Sequence, residues 1–170
     1  MPDRPGQSAA VNGIEALYES AAESDSKKSL RAWLFLLKCS KRLEQEMSDR
    51  FREQFGSSLS RFDVLAHLDL AGEEGLSTSQ LARRLLASKG NITRLLDRME
   101  ADGLITRKQH ATDRRVSRIV LSAKGAKLFA SMAPAHEHWA HEILAILPPE
   151  RRDELVQLLR IVRDHLNTLR

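Results

Sequence analysis

The chain has 170 residues, 42% apolar and 29% charged, enough for one globular domain with a sizeable core or for a small domain joined to an oligomerising one. Its longest uncharged apolar run, Ala32 to Leu37, falls far short of the roughly 20 residues of a membrane span, and the N-terminal MPDRPGQSAA lacks the apolar stretch of a secretory signal, so a cytoplasmic protein is expected. The lone cysteine, Cys39, excludes an internal disulfide, and the net charge of +4 is modest. Its distribution is more informative. Between Arg83 and Lys127 stand twelve Lys or Arg (83, 84, 89, 94, 98, 107, 108, 114, 115, 118, 124, 127) against four acids (Asp97, Glu100, Asp102, Asp113). Such a cluster is the electrostatic footprint expected for binding a polyanion.

In chain order, residues 1–26 are rich in Ser, Ala, Pro and Gly and read as an arm, disordered over its first dozen residues. Ile14, Leu17, Tyr18 and Ala21 have the spacing of a short amphipathic helix. From Lys27 to about Phe55, the pattern Leu30, Trp33, Leu34, Leu37 with no Gly or Pro before Gly56 predicts one long helix, the core of a segment spanning 27–57. Ser60-Arg61-Phe62-Asp63 reads as a hydroxyl cap with an acid three residues on, opening a helix that Gly72 stops. Ser77-Thr78-Ser79-Gln80 fits a capping box. Only about two residues separate the end of that helix at Leu85 from the next start at Ser88, so the two must cross steeply, as in a helix-turn-helix.

The helix from Ser88 carries Ile92, Leu95, Leu96 and Met99 on one side and Gly90, Asn91, Arg94, Asp97 and Arg98 on the other, and Gly103 is placed to end it in a left-handed turn. Leu104–Lys108 and Val116–Leu121 read as two strands joined by a basic loop. Ser122-Ala123-Lys124-Gly125 opens a helix running to about Ala145, with Pro134 as a possible kink, and Pro148-Pro149-Glu150 starts the last one. Leu155, Leu158, Leu159, Val162 and Leu166 form a single apolar seam on it. The fold class is therefore mainly α with a small β-wing: a winged helix-turn-helix domain over 58–125 and helical dimerisation regions at 27–57 and 126–170.

Arg94 and Arg98 can bond a guanine edge or a phosphate, Asn91 can pair an adenine edge, and Gly90, next to Lys89, removes bulk where the helix would approach DNA. A hairpin directly after such a helix is a wing whose tip lies beside the groove. Arg114 or Arg115 is the candidate for minor-groove insertion, with Asp113 holding one of them in place. Lys108 and Arg118, lower in the strands, suit phosphate contacts.

The segments STSQLARRL, SKGNITRLLDRMEADGLITR and DRRVSRIVLSAKG resemble the winged helix-turn-helix of the multiple-antibiotic-resistance-regulator (MarR) family of bacterial transcription factors. The resemblance extends over roughly residues 28–168, and the 26-residue N-terminal extension departs from it. It implies a homodimer that binds a palindromic operator in duplex DNA, usually as a repressor released by a small molecule. It implies DNA contacts at Ser88, Asn91, Arg94, Arg98, Asp113, Arg114 and Arg115, with Ser60, Arg61 and Thr78 on the DNA backbone. It also places an effector among Trp33, Leu37, Arg42, His67 and Phe129, where an aromatic acid or its CoA thioester would suit apolar walls with an Arg or His.

Other chemistries have less support. In AHEHWAH only His138 and His141 share a helical face, so no metal is expected, and His136, His138 and His141 should pack or titrate at an interface. No Gly-rich phosphate loop or nucleophile elbow occurs, so neither an enzyme nor a cofactor is expected. Cys39 is read as a small buried hydrophobe, with a redox-responsive regulator as the alternative. The rival to DNA binding is a winged-helix protein-interaction module.

Overall fold

The computed structural model describes residues 24–109 and 117–169. Two units divide at Ser48/Asp49. Helix α1 (Asp25–Phe55) runs through that boundary, as expected of a stretch with no Gly or Pro before Gly56. In the first unit Trp33, Phe35, Leu36, Leu37 and Leu43 are exposed and Met47 is buried.

The second unit takes the last turns of α1 and then α2 (Leu59–Ala71), a 3-10 turn (Gly72–Glu74), α3 (Thr78–Arg84), α4 (Lys89–Ala101), strands β1 (Ile105–Gln109) and β2 (Ser117–Leu121), α5 (Ala123–Leu144) and α6 (Pro149–Thr168). The expected start of α2 needs correcting. Ser58, in extended backbone, caps it by accepting from the Arg61 N–H, and Ser60 lies inside the first turn. Both serines offer a hydroxyl before an apolar run, and only the backbone angles decide which one caps.

The strands pair antiparallel with Ile105 opposite Leu121 and Lys108 opposite Arg118. A third segment joins them: Leu76 exchanges both backbone hydrogen bonds with Ile119, at 3.0 and 2.8 Å. Gly75 makes this possible, because at φ 59° a Cβ there would lie 2.4 Å from the Ile119 carbonyl oxygen. The wing is therefore bonded to the residues that lead directly into the helix-turn-helix.

Two packing centres hold the second unit. Leu65, Leu68, Leu81, Ile92, Leu96, Met99, Ile105 and Ile119 are buried in the winged region. The other centre is aromatic. Phe51 stacks on Phe62 with centroids 4.8 Å apart and meets Trp139 edge-on at 5.2 Å, while His136 lies 4.5 Å from Phe62 and 5.8 Å from Phe51. His136 thus packs within this ring cluster. Helix α5 continues through Pro134, and α6 begins with Pro149 in its first turn, where the missing N–H costs little. Among the described residues no helix is long and apolar enough to cross a membrane.

Candidate nucleic-acid interface

The helix-turn-helix is built from local chemistry. At the start of α3 the capping box forms as expected: the Ser77 hydroxyl accepts from the Gln80 N–H, and Gln80 Oε1 accepts from the Ser77 N–H at 2.8 Å. The turn after α3 is a Schellman motif, with the Ala87 N–H bonded to the Ala82 carbonyl and the Leu86 N–H to that of Arg83. Its left-handed position is filled by Leu86 at φ 50°, which costs about 1–2 kcal/mol relative to right-handed backbone. Helix α4 ends in the same motif, with Gly103 at φ 71°. One of these two turns was legible from its glycine, and the other carried no such signal.

Helix α4 buries Ile92, Leu96 and Met99, which leaves Gly90, Asn91, Arg94 and Arg98 exposed on the opposite face, with Lys89 exposed at the first position of the helix. The Ser88 hydroxyl is occupied as the cap, accepting from the Asn91 N–H at 3.3 Å. Asn91 Oδ1 accepts from Arg94 Nη2 at 3.0 Å, which orients the guanidinium along the helix. Arg98 makes no ion pair among the described residues. This face offers donors and no unpaired carboxylate, because Asp97 is bound by Arg107 Nη2 at 2.5 Å.

Several other expected residues have protein partners. Arg61 is paired with Asp102 at the end of α4. Arg118 Nη1 donates to Gln80 Oε1 at 2.9 Å, so β2 is tied to the cap of α3, while Arg118 Nε is buried without a partner among the described residues. Thr78 is half-buried at the start of α3, Ser60 is exposed on α2, and Lys108 is exposed on β1. Asp113, Arg114 and Arg115 lie outside the described residues, as does the helix expected around Leu17.

The base of the wing is clasped by Ser122. Its hydroxyl donates to the Gly103 carbonyl at 2.6 Å and accepts from the Gly125 N–H at 2.9 Å. Lys124 Nζ reaches the Asp102 carbonyl at 2.7 Å. Gly125 permits this closeness, since a Cβ there would lie 2.0 Å from the Leu104 carbonyl oxygen. In the sequence Ser122 and Gly125 mark a helix start and belong to the segment that resembles the family, but neither signals this clasp.

The expected effector side chains fall in both units. Trp33, Leu37 and Arg42 are exposed on α1, whereas His67 and Phe129 are half-buried, Phe129 lying 5.7 Å from the Phe62 ring. A cavity of about 270 Å³ opens elsewhere, lined by Leu68, Asp69, Gly72, Glu73, Lys108, Val120 and Leu121. Cys39 is exposed, which corrects the expectation of a buried residue: it falls on a stretch of α1 whose neighbours are largely exposed too.

The profile of the MarR family matches residues 55–116. The HTH-type transcriptional regulator YkoM of Bacillus subtilis (strain 168) is 30% identical over 115 residues, which cover 68% of this chain and 73% of that protein. The chain belongs to the MarR family. Another relative from the same organism, the HTH-type transcriptional repressor YetL, is 29% identical over 142 residues, 84% of each chain. Among solved structures, the MarR family regulator Sco3205 of Streptomyces coelicolor, determined in complex with DNA, superposes with a TM-score of 0.75 at 19% identity, covering 86% of this chain and 92% of that one. The protein is thus a MarR-type transcriptional regulator with the family's winged-helix fold, and the family consists of DNA-binding regulators rather than enzymes.

Proposed function

We propose that the protein acts as a homodimeric repressor that seats two copies of α4 in successive major grooves of a palindromic operator, and that a small molecule releases it. The observation that carries this reading is the exposed face of α4, where Asn91, Arg94 and Arg98 stand free of buried partners beside a strand pair that sets Lys108 opposite Arg118. Cations directly opposite one another are unfavourable in a ladder unless an anion relieves them. A phosphate backbone would do so, and Arg114 and Arg115 would extend the same charge toward a neighbouring groove. Ser60, Arg61, Thr78, Ser88, Lys89 and Gly90 complete the DNA-facing set, and Asp113 would steady the wing arginines.

The dimer is supported by α6. Val156, Leu158, Leu159, Ile161, Val162 and Leu166 are exposed along it, an apolar surface that a symmetric copy would cover. Two-fold symmetry then sets half-sites about one helical turn, roughly 10 bp, apart. Release requires a ligand that prefers a dimer geometry with misplaced recognition helices, a coupling of typically 1–3 kcal/mol, roughly 5- to 150-fold. An aromatic acid or its CoA thioester is the ligand class, with Trp33, Leu37, Arg42, His67 and Phe129 each a candidate for contact.

Footprinting on the DNA upstream of the protein's own gene, across a salt series and with candidate aromatic acids, tests the reading. The expected result is a protected palindrome whose affinity falls steeply with salt as counterions are released. Absence of tight duplex binding would favour a protein-interaction module instead.

A further inference from the structure

Arg107 is one of the twelve basic residues between Arg83 and Lys127 and follows directly on the turn that ends α4. In the structure its guanidinium leaves β1 and spans two carboxylates of α4, with Nη2 2.5 Å from Asp97 Oδ1 and Nη1 3.0 Å from Glu100 Oε2. Asp97 and Glu100 are three residues apart and so stand on adjacent turns of one helical face. Each end of the planar fork takes a different acid, a geometry that the single ammonium of a lysine does not reproduce.

Two consequences follow. First, the brace fixes the rotation of α4 about its own axis relative to the wing, because β1 is already locked by its ladder to β2 and by the Ser122 clasp at its base. Second, it neutralises Asp97, which lies on the side of α4 that carries Asn91, Arg94 and Arg98 and would otherwise present a bare carboxylate to a polyanion. We infer that Arg107 is a positioning residue for DNA recognition: by holding Asp97 and Glu100 it aims the recognition helix and masks its acids, without itself touching DNA. The inference rests on the DNA-binding reading above.

A double-mutant cycle tests it. The probes are a duplex selected from a randomised pool on the wild-type protein and poly(dI-dC) as non-specific duplex, with thermal unfolding recorded for every variant. Arg107→Gln should weaken binding to the selected duplex about tenfold while changing poly(dI-dC) binding by less than about twofold. In the Asp97→Asn/Glu100→Gln background, where the brace is already gone, the same substitution should cost less than about twofold on either duplex. Arg107→Lys, which keeps the charge and loses the fork, should behave like the Gln variant. An equal loss in both backgrounds with a salt slope reduced by about one would make Arg107 a direct phosphate contact and overturn the inference. Unchanged affinity in Arg107→Gln, or an equal loss on both duplexes tracking a lowered unfolding temperature, would overturn it too. Failure of the wild-type protein to enrich any duplex is a different result, since it removes the DNA-binding reading itself.

Discussion

Helices α4 and α6 carry equally regular apolar stripes, and they meet opposite fates. Ile92, Leu96 and Met99 of α4 are buried in the chain's own winged region. No residue of α6 is buried among the described residues, and Leu158, Val162 and Leu166 remain open. An amphipathic pattern therefore states that a face will be covered but not by what. Burial of α4 is an intramolecular event, so its outward face is rigidly presented. The seam of α6 is an unspent hydrophobic surface, of the kind that drives association.

The contrast can be broken from either side. The largest effect is expected where the second unit is most tightly self-packed: Phe51→Ala, which empties the centre of the ring cluster with Phe62, His136 and Trp139, should cost about 3–5 kcal/mol of unfolding free energy in urea titration. Placing charge on the α6 seam with Leu159→Glu and Val162→Glu should leave the chain folded but monomeric by sedimentation, and lower operator affinity on the order of 100-fold as the two half-sites lose their linkage. A variant that stayed dimeric with full affinity would show that α6 is not the interface.

Smaller effects sharpen the comparison. Arg94→Ala should cost about 1–3 kcal/mol of specific binding as one base contact is lost, measured by fluorescence anisotropy, whereas Arg163→Ala, at another exposed arginine, on α6, should stay within about 0.5 kcal/mol. The smallest expected effect is in the acid limb of stability. A hydrogen bond from Arg50, 2.8 Å away, and then the charge of that guanidinium hold the Glu142 carboxyl below its ordinary 4.5. A value depressed in the folded state means that the pair's contribution is complete above the unfolded value and lost as pH falls through the folded one. Arg50→Gln should therefore lower stability slightly at neutral pH, since an exposed pair contributes little, and flatten part of the loss of stability below about pH 4.5, so that variant and wild type converge in acid.

Much of the candidate site was legible because it is local. The Ser77–Gln80 capping box, the stripe of α4 and the turn at Gly103 each depend on residues within a few positions, and each formed as the pattern implied. The turn at Leu86 was not legible as a Schellman motif, since leucine gives no hint of left-handed backbone. Ser58 and Ser60 were chemically equivalent as caps until the chain's entry angle distinguished them.

What the amino-acid order by itself determined is the set of elements, their sense and the placing of a basic surface on one helix and its hairpin, because period, caps and charge act over a few residues. What only the tertiary structure decided is which of those charges already have partners. Arg61 finds Asp102 across 41 positions, Arg118 finds Gln80 across 38, and Arg107 folds back onto Asp97 and Glu100. Such pairings depend on where the backbone brings distant side chains within hydrogen-bonding reach, and no local periodicity encodes that distance.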